Sequence, residues 1–395
     1  MAPPSPLHRH QSSLESVIDF STEPPLGLDQ RTQARRTFYH IVNHFEARSH
    51  SSENRSRQYN RPSLVRLTYE YARSEESQDN FLRAFFRSMA LSMDGEEPVN
   101  FDQESLAVEF GSALFNFAEY LLDNFFLPLK ASAKKTPQPS PACHSAVQRV
   151  QGGAPEFAGT PDRVSVLRGA CLVRDRHRCV VSRRFDQAQA LRRFESDGDN
   201  AQDDDGNLLK EETRPFDALE VAHILPHSLT KTNSSSQLDP SKQAALAILN
   251  MFDNGVAHLI EGIDIDRPRN AITLTHGLHN FFGDFRIFLE PTLDPQPHTY
   301  RINSFLPAFL VRDPTLPITR TLYLTETCIV DPPSPRLLAI HCAIAHILHL
   351  SAAGAYIDKI LCDMEEKGVR ADGSTEMGRF VKLGLGGWLD DRVHT

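Results

Sequence analysis

Apolar residues recur at helical spacing over much of the first third of the chain. Between residues 31 and 128 they fall three or four positions apart, and this spacing predicts a helical domain of about four helices. A second helical pattern begins at Ser334-Pro335, which is typical of an N-cap followed by a first-turn proline. It predicts one or two C-terminal helices within residues 331–368.

The middle of the chain has a different pattern. Short β-branched runs at 178–181 and 270–274, separated by loops, predict a mixed domain over residues 162–300. Residues 129–161 contain several prolines and two adjacent glycines, which oppose both helix and strand, so we predict a linker there. The predicted fold class is therefore α+β, with a central domain flanked by helical regions.

The remaining segments have little periodic apolar content. Residues 1–30 are rich in Pro, Ser and His, and they are predicted to be a disordered tail because they cannot offset their ordering entropy by burial. Residues 301–330 are predicted to be an extended connection and residues 369–395 a second tail.

Composition narrows the class of protein. A chain of 395 residues with 40% hydrophobic content can form two or three globular domains. Its six cysteines form no CxxC pair, which argues against a disulfide framework and a four-cysteine zinc site. The longest apolar stretch, 337–350, is interrupted by three histidines, and the amino terminus has no secretion pattern. We expect no membrane span and an intracellular protein, cytoplasmic or nuclear.

The formal charge of −9 gives no general attraction to polyanions, so contact with nucleic acid would need a local basic patch. Such a strip precedes residue 185, and its candidate DNA-binding members are Arg174, Arg176, Arg178, Arg183 and Arg184. The alternative is a solvated face, since the acidic segment 195–205 partly cancels the field. That segment is expected to be a solvated loop rather than a calcium loop, because Gly206 would put Ala201 at the first ligand position.

Three segments have to be taken together: EVAHILP at 220–226, DRPRN at 266–270 and LHNFF at 278–282. With them the chain resembles the HNH endonuclease family, particularly the branch in fungal proteins of similar size, over about a third of its length. The resemblance implies a ββα-metal fold, in which a two-stranded ribbon and a helix hold one divalent cation. It also implies hydrolysis of DNA phosphodiester bonds.

The resemblance assigns roles to three residues. It makes His223 the general base, Asn270 the turn residue that steadies the hairpin and orients the base, and His279 a metal ligand on the helix. An imidazole suits the first role because its ordinary pKa, near 6.5, lets it accept a proton from water at neutral pH. The metal would neutralise charge that develops on the phosphate and on the leaving oxygen.

Two positions depart from the family pattern. Ala222 stands where many members carry a metal-binding Asp or His, and Gly283 stands where a further ligand is common. Asp284 and Glu220 are therefore candidate metal ligands, and the further substitutes are Asp264, Asp266 and His276. Mg²⁺ is the expected ion because it tolerates few protein ligands, with Mn²⁺ and Zn²⁺ as alternatives.

The expected function is a metal-dependent DNA endonuclease. The alternative is a catalytically silent HNH-derived module that binds nucleic acid or protein, for which Ala222 and Gly283 argue. DNA is the expected partner, and the sequence indicates no particular protein partner. By default His227, His258 and His276 are surface or second-layer residues, and Cys179 is a core residue.

Overall fold

The computed structural model describes residues 24–49, 59–94, 99–133, 160–231, 238–292, 296–323, 330–365 and 376–389. Its helices and strands are α1 (Leu28–Ser49), α2 (Arg61–Glu70), α3 (Glu75–Ser88), α4 (Glu104–Leu121), α5 (Leu127–Ala133), α6 (Thr160–Arg174), α7 (Gln187–Asp197), β1 (Leu219–His223), α8 (Pro240–Asn250), β2 (Ala271–Thr275), α9 (His276–Gly283), β3 (Ile287–Pro291), β4 (Thr299–Ser304), β5 (Ile318–Thr321), α10 (Pro335–Leu350), α11 (Ala353–Glu365) and α12 (Met377–Leu385). None of these helices is long and apolar enough to cross a membrane by itself. Only the bent pair α10 and α11 meets both requirements when the two helices are taken together.

The chain divides into two compact units. A helical unit comprises Met1–Ala131, Lys231–His258 and His346–Leu389, and a mixed unit comprises Ser132–Thr230, Leu259–Ala345 and Asp390–Thr395. Both sheets belong to the mixed unit. The expected central domain, 162–300, therefore differs from the structure, because residues 231–258 between β1 and β2 are part of the helical unit.

The helical unit is organised around aromatic side chains. Phe38 of α1 lies edge-on to Phe85 of α3 with ring centroids 4.9 Å apart, and Phe85 lies edge-on to Phe117 of α4 at 5.8 Å. Each buried ring contributes roughly 1.5–3 kcal/mol through the removal of apolar surface from water. Asn60 and Ser74 cap α2 and α3, since their side chains accept backbone N–H groups of the first turn.

The structure differs from the sequence expectation near the C-terminus. Helix α12 lies within residues 369–395, which were predicted to be a tail, so that prediction was wrong for Met377–Leu385. Gly378 and Gly384 within this helix weaken the helical signal in the sequence. The helix is held by contacts distant in sequence, because Arg379 donates to Asp123 with a nitrogen–oxygen distance of 2.6 Å.

Other expectations fall partly outside the described residues. Of the predicted tail 1–30, residues 1–23 lie outside them, and α1 begins at Leu28. Of the predicted linker 129–161, residues 134–159 lie outside them, and its described ends are helical. The predicted extended connection 301–330 contains β5 and most of β4, which pair with β3 in a three-stranded antiparallel sheet.

The mixed unit also contains a two-stranded antiparallel sheet of β1 and β2, in which Glu220 pairs with Leu274 and His223 with Ala271. The connection between these strands is residues 224–270 and not a tight hairpin. Helix α9 follows β2 directly and packs against both strands. The other predicted segment, 178–181, does not form a strand in the structure. Arg178 makes an isolated bridge with Phe185, Val180 donates to the carbonyl of Thr273 at 2.9 Å, and the chain turns back at Arg183.

Candidate active site

The register of β1 separates its polar side chains onto two faces. Successive residues of a strand point to opposite sides, so Glu220 shares one face with Ala222, and Val221 shares the other with His223. Glu220 contacts α9, whereas Val221 packs with Leu167 of α6. The strand therefore supplies one functional side chain to each of two carboxylate–imidazole clusters.

The first cluster joins β1 to α9. The Oε2 atom of Glu220 lies 2.6 Å from Nδ1 of His279, and its Oε1 atom lies 2.8 Å from Nδ1 of His276. The two histidines are three residues apart and so lie on one helix face. His279 is buried, but the His276 side chain is 68% exposed.

The ionisation of Glu220 follows from these bonds. The hydrogen bond from His279 lowers its pKa, partial burial opposes this, and the bond from His276 lowers it again, so that the pKa falls to about 2. The group is a carboxylate at neutral pH and can only accept hydrogen bonds. The Nδ1 atom of His279 must therefore be the donor, and in the neutral ring this leaves a lone pair on Nε2.

That lone pair is the most informative feature of the cluster. Within the described part of the chain, the Nε2 atom of His279 is buried and has no hydrogen-bond partner. An imidazole that donates from one nitrogen to a carboxylate and offers the other is the usual arrangement at metal sites. His279 thus fits a metal ligand, whereas Ala222 on the same strand face offers only a methyl group.

The second cluster, which we call the triad, consists of His223, His227 and Asp266. The Oδ1 atom of Asp266 lies 3.1 Å from Nε2 of His223 and 2.8 Å from Nδ1 of His227. All three residues are buried, and their potential ligand atoms lie within 4.8 Å of one another. On the other side of the carboxylate, Nε of Arg163 lies 3.3 Å from Oδ2.

Burial and hydrogen bonding act in opposite directions in the triad. Burial would raise the pKa of Asp266, but the hydrogen bonds from His223 and His227 outweigh it and hold that pKa well below its ordinary value. For His223, burial lowers the pKa more than Asp266 raises it. At neutral pH the triad therefore has an ionised carboxylate and a neutral His223.

Asn270 joins the segments on either side of the triad. Its Nδ2 group donates to the carbonyls of Leu225 and Ile265 at 3.0 Å each, and its Oδ1 atom accepts the N–H of Leu225 at 3.0 Å. The side chain is fully buried. These bonds fix the chain just after His223 against the chain just before Asp266.

Two other candidate ligands have different described positions. Asp284 is the C-cap of α9. Asp264 is held by Arg267 at 3.1 Å and by Arg269 at 2.7 Å. The carboxylates with hydrogen bonds to His223 and His279 are those of Asp266 and Glu220.

The predicted contact of Arg174 with DNA was wrong, because this residue lies in the protein interior. Its side chain is fully enclosed and pairs with Asp175 at 2.9 Å. It also donates to the carbonyls of Pro268 at 2.7 Å and Ala271 at 2.9 Å. A guanidinium enclosed in this way cannot reach a phosphate backbone, and its bonds instead hold the end of α6 to the start of β2.

The other arginines of the strip contact acidic or aromatic groups. Arg178 pairs with Asp203 at 2.8 Å and with Glu212 at 2.7 Å, and Arg176 pairs with Asp205. Arg184 pairs with Asp217 and Asp313, and Arg183 lies over the ring of Tyr323. The acidic segment thus supplies counter-charges for Arg176 and Arg178, and the expectation of a solvated loop was wrong for the buried Asp203.

The sequence interpretation missed the part played by His227. It was expected at the surface or in a second layer, but it is buried against Asp266. The available signal was its position four residues after His223, beyond the end of a strand, where a turn can bring two imidazoles together.

Comparison with known proteins relates this part of the chain to one family. Residues 179–290 match the family model described as HNH endonuclease. The matched residues include β1, β2, α9 and every member of the two clusters. No curated protein and no solved structure matches the chain.

Proposed function

We propose that this protein, whose residues 179–290 match the HNH endonuclease family, hydrolyses DNA phosphodiester bonds with the help of a divalent metal ion. In this proposal β1, β2 and α9 are the ββα-metal unit, His223 is the general base and His279 is a metal ligand. The observation that carries the proposal is the buried Nε2 atom of His279, which has no partner among the described residues.

The proposed base is prepared by its surroundings. Burial keeps the imidazole of His223 neutral at physiological pH, and Asp266, 3.1 Å from its Nε2, orients the ring. In this proposal the neutral imidazole accepts the proton of the attacking water. Asp266 stabilises the imidazolium that forms, in the way that a buried carboxylate supports a catalytic histidine in other hydrolases.

The proposed metal ligand is prepared in a similar way. Glu220 holds Nδ1 of His279, which fixes the ring and leaves the buried Nε2 without a partner among the described residues. When bound, the divalent cation neutralises charge on the scissile phosphate and on the leaving 3′ oxygen. Mg²⁺ is the favoured ion because it keeps most of its shell as water and phosphate oxygen, with Mn²⁺ and Zn²⁺ as alternatives.

DNA is the proposed substrate, and the arginine strip without Arg174 is the proposed contact surface. Arg176, Arg183 and Arg184 are partly exposed. Because Arg176 and Arg184 are paired with carboxylates, each phosphate contact would have to replace an existing ion pair. We therefore expect weak, salt-sensitive binding from this surface.

A second candidate function is a catalytically silent module that binds nucleic acid or protein. It is favoured by the methyl group of Ala222 at a ligand position and by the enclosure of His223, whose side chain is 1% exposed. Supercoiled plasmid incubated with the full-length protein distinguishes the two. The endonuclease nicks it with Mg²⁺ or Mn²⁺ and stops when EDTA is added, whereas the silent module leaves it intact under every condition.

A further inference from the structure

We propose that the triad of His223, His227 and Asp266 is a second metal site, that it takes Zn²⁺, and that Zn²⁺ bound there inhibits the enzyme. The site is separate from the one proposed at His279. Only its inhibitory effect rests on the proposed function, since binding of the ion depends on the triad alone.

The geometry of the triad is close to what a tetrahedral ion needs. Its carboxylate oxygen lies 3.1 Å from one imidazole nitrogen and 2.8 Å from the other, and all three ligand atoms lie within 4.8 Å. In a tetrahedral zinc site with bonds of about 2.0–2.1 Å, ligand atoms are about 3.3 Å apart. Small side-chain rotations therefore convert the hydrogen-bonded triad into three ligands, with the fourth position left for water.

A contact on the far side of the carboxylate helps to orient it. Arg163 contacts Oδ2 of Asp266, and both imidazoles contact Oδ1. The carboxylate is therefore turned so that one oxygen faces the imidazoles. Groups that hold a ligand from outside in this way strengthen metal binding by restricting its motion.

The donor set selects the ion. Two imidazoles with one carboxylate suit Zn²⁺ and related transition metals, whereas Mg²⁺ prefers oxygen ligands in an octahedral shell. We therefore expect Zn²⁺ to fill the triad at concentrations where Mg²⁺ does not. The triad has no residue in common with the Glu220–His279 pair, so the two sites share no ligand, although the imidazoles of His223 and His279 are close enough to interact electrostatically.

Binding at the triad removes the proposed base. With Nε2 on the ion, the other ring nitrogen of His223 carries the proton and has no lone pair for water. Asp266 becomes a ligand and no longer supports the imidazole. Zn²⁺ should thus inhibit Mg²⁺-dependent hydrolysis at a site that Mg²⁺ does not occupy, so excess Mg²⁺ should not reverse the inhibition.

The binding test uses full-length protein freed of metal with a chelator, then titrated calorimetrically with Zn²⁺ and, in parallel, with Co²⁺ as a visible-absorption probe. His227→Asn is the test variant because its side-chain amide can still donate to Asp266 but is a poor metal ligand. We expect it to weaken the Zn²⁺ site at least tenfold and to remove the Co²⁺ absorption. We expect His279→Ala to retain both.

Several results would overturn the assignment. They are the absence of a Zn²⁺ site in the unaltered protein, equal Zn²⁺ affinity in His227→Asn, or loss of the site in His279→Ala. Melting temperatures without metal show whether a variant is folded. Should His227→Asn not fold, His227→Gln is used in its place with the same expected loss.

Cleavage then separates this inference from the proposed function. One equivalent of Zn²⁺ should stop Mg²⁺-dependent nicking, and a zinc chelator should restore it. Protein that binds Zn²⁺ at the triad but never nicks DNA refutes the endonuclease and leaves the site. Protein that nicks DNA at an unchanged rate with the triad filled refutes the inhibition.

Discussion

Glu220 and His279 are joined by a hydrogen bond of 2.6 Å between a strand carboxylate and a helix imidazole, and this bond leaves the second imidazole nitrogen buried and without a partner among the described residues. Glu220 lies two residues before Ala222 and on the same strand face. The carboxylate therefore supports His279 from outside and does not simply replace the ligand that Ala222 lacks.

The first prediction concerns that support. Glu220→Gln removes the charge that fixes the proton on Nδ1 of His279, so affinity for the catalytic ion should fall roughly 10- to 100-fold. Mn²⁺ titration followed by electron paramagnetic resonance measures the change. His276→Ala is the matched control, because it removes the exposed partner of the same carboxylate. Equal Mn²⁺ affinity in Glu220→Gln and the unaltered protein would refute the supporting role.

The second prediction concerns Asp266. Asp266→Asn removes the negative charge that raises the pKa of His223 against the effect of burial. The cleavage rate should fall roughly 10²-fold, with little change in KM. The acidic limb of the pH–rate profile should move to lower pH, because an imidazole with a lower pKa is protonated only at lower pH. A lower rate with an unmoved profile would mean that Asp266 is only structural.

The third prediction concerns His341 and acid stability. The ring is buried between Phe282 and Phe285, its Nε2 donates to the carbonyl of Phe282 at 3.0 Å, and burial lowers its pKa to about 3. The unfolded chain takes up this proton below pH about 6.5, and the folded chain does not. The contribution of the neutral His341 to the free energy of unfolding is therefore complete above that pH. It falls by up to about 1.4 kcal/mol per pH unit as the pH decreases towards 3.

Urea unfolding at pH 7 and pH 5 measures this loss. His341→Gln keeps a donor for the carbonyl of Phe282 but cannot be protonated in this range. The unaltered protein should lose about 2 kcal/mol more than the variant between the two pH values. The same loss in both proteins would show that His341 is not responsible.

The fourth prediction separates the arginines of the strip. Arg174→Met leaves Asp175 charged and unpaired in the interior, so it should cost about 3–5 kcal/mol of unfolding free energy. Arg176→Met, which breaks a partly exposed pair with Asp205, should cost at most about 1 kcal/mol. Urea unfolding of both variants measures the difference. Similar small losses would mean that Arg174 is not part of the core.

The sequence was informative where local pattern and chemistry coincide. The helical spacing of apolar residues around Phe38, Phe85 and Phe117 predicted helices α1, α3 and α4. The motif residues 220–226 and 278–282 predicted the family that the comparison found. Both signals are local, because helical periodicity and a short motif can be recognised in the sequence without information on tertiary contacts.

What the sequence could not predict depends on contacts between distant segments. The pairing of Asp266 with His227 depends on the path of the chain between β1 and β2, most of which belongs to the helical unit. The pairing of the arginine strip with Asp203 and Asp205 likewise depends on a loop folding back. Charge counts could not show whether those acids face the arginines or the solvent.

The most direct test of the central claim compares plasmid nicking by the unaltered protein, His279→Ala and His276→Ala at saturating Mg²⁺ or Mn²⁺. Both histidines contact Glu220, but only His279 has the buried free nitrogen. We predict that His279→Ala lowers the nicking rate by roughly 10²-fold or more while its melting temperature stays close to that of the unaltered protein, and that His276→Ala changes the rate little. Nicking by folded His279→Ala at the rate of the unaltered protein would contradict the account.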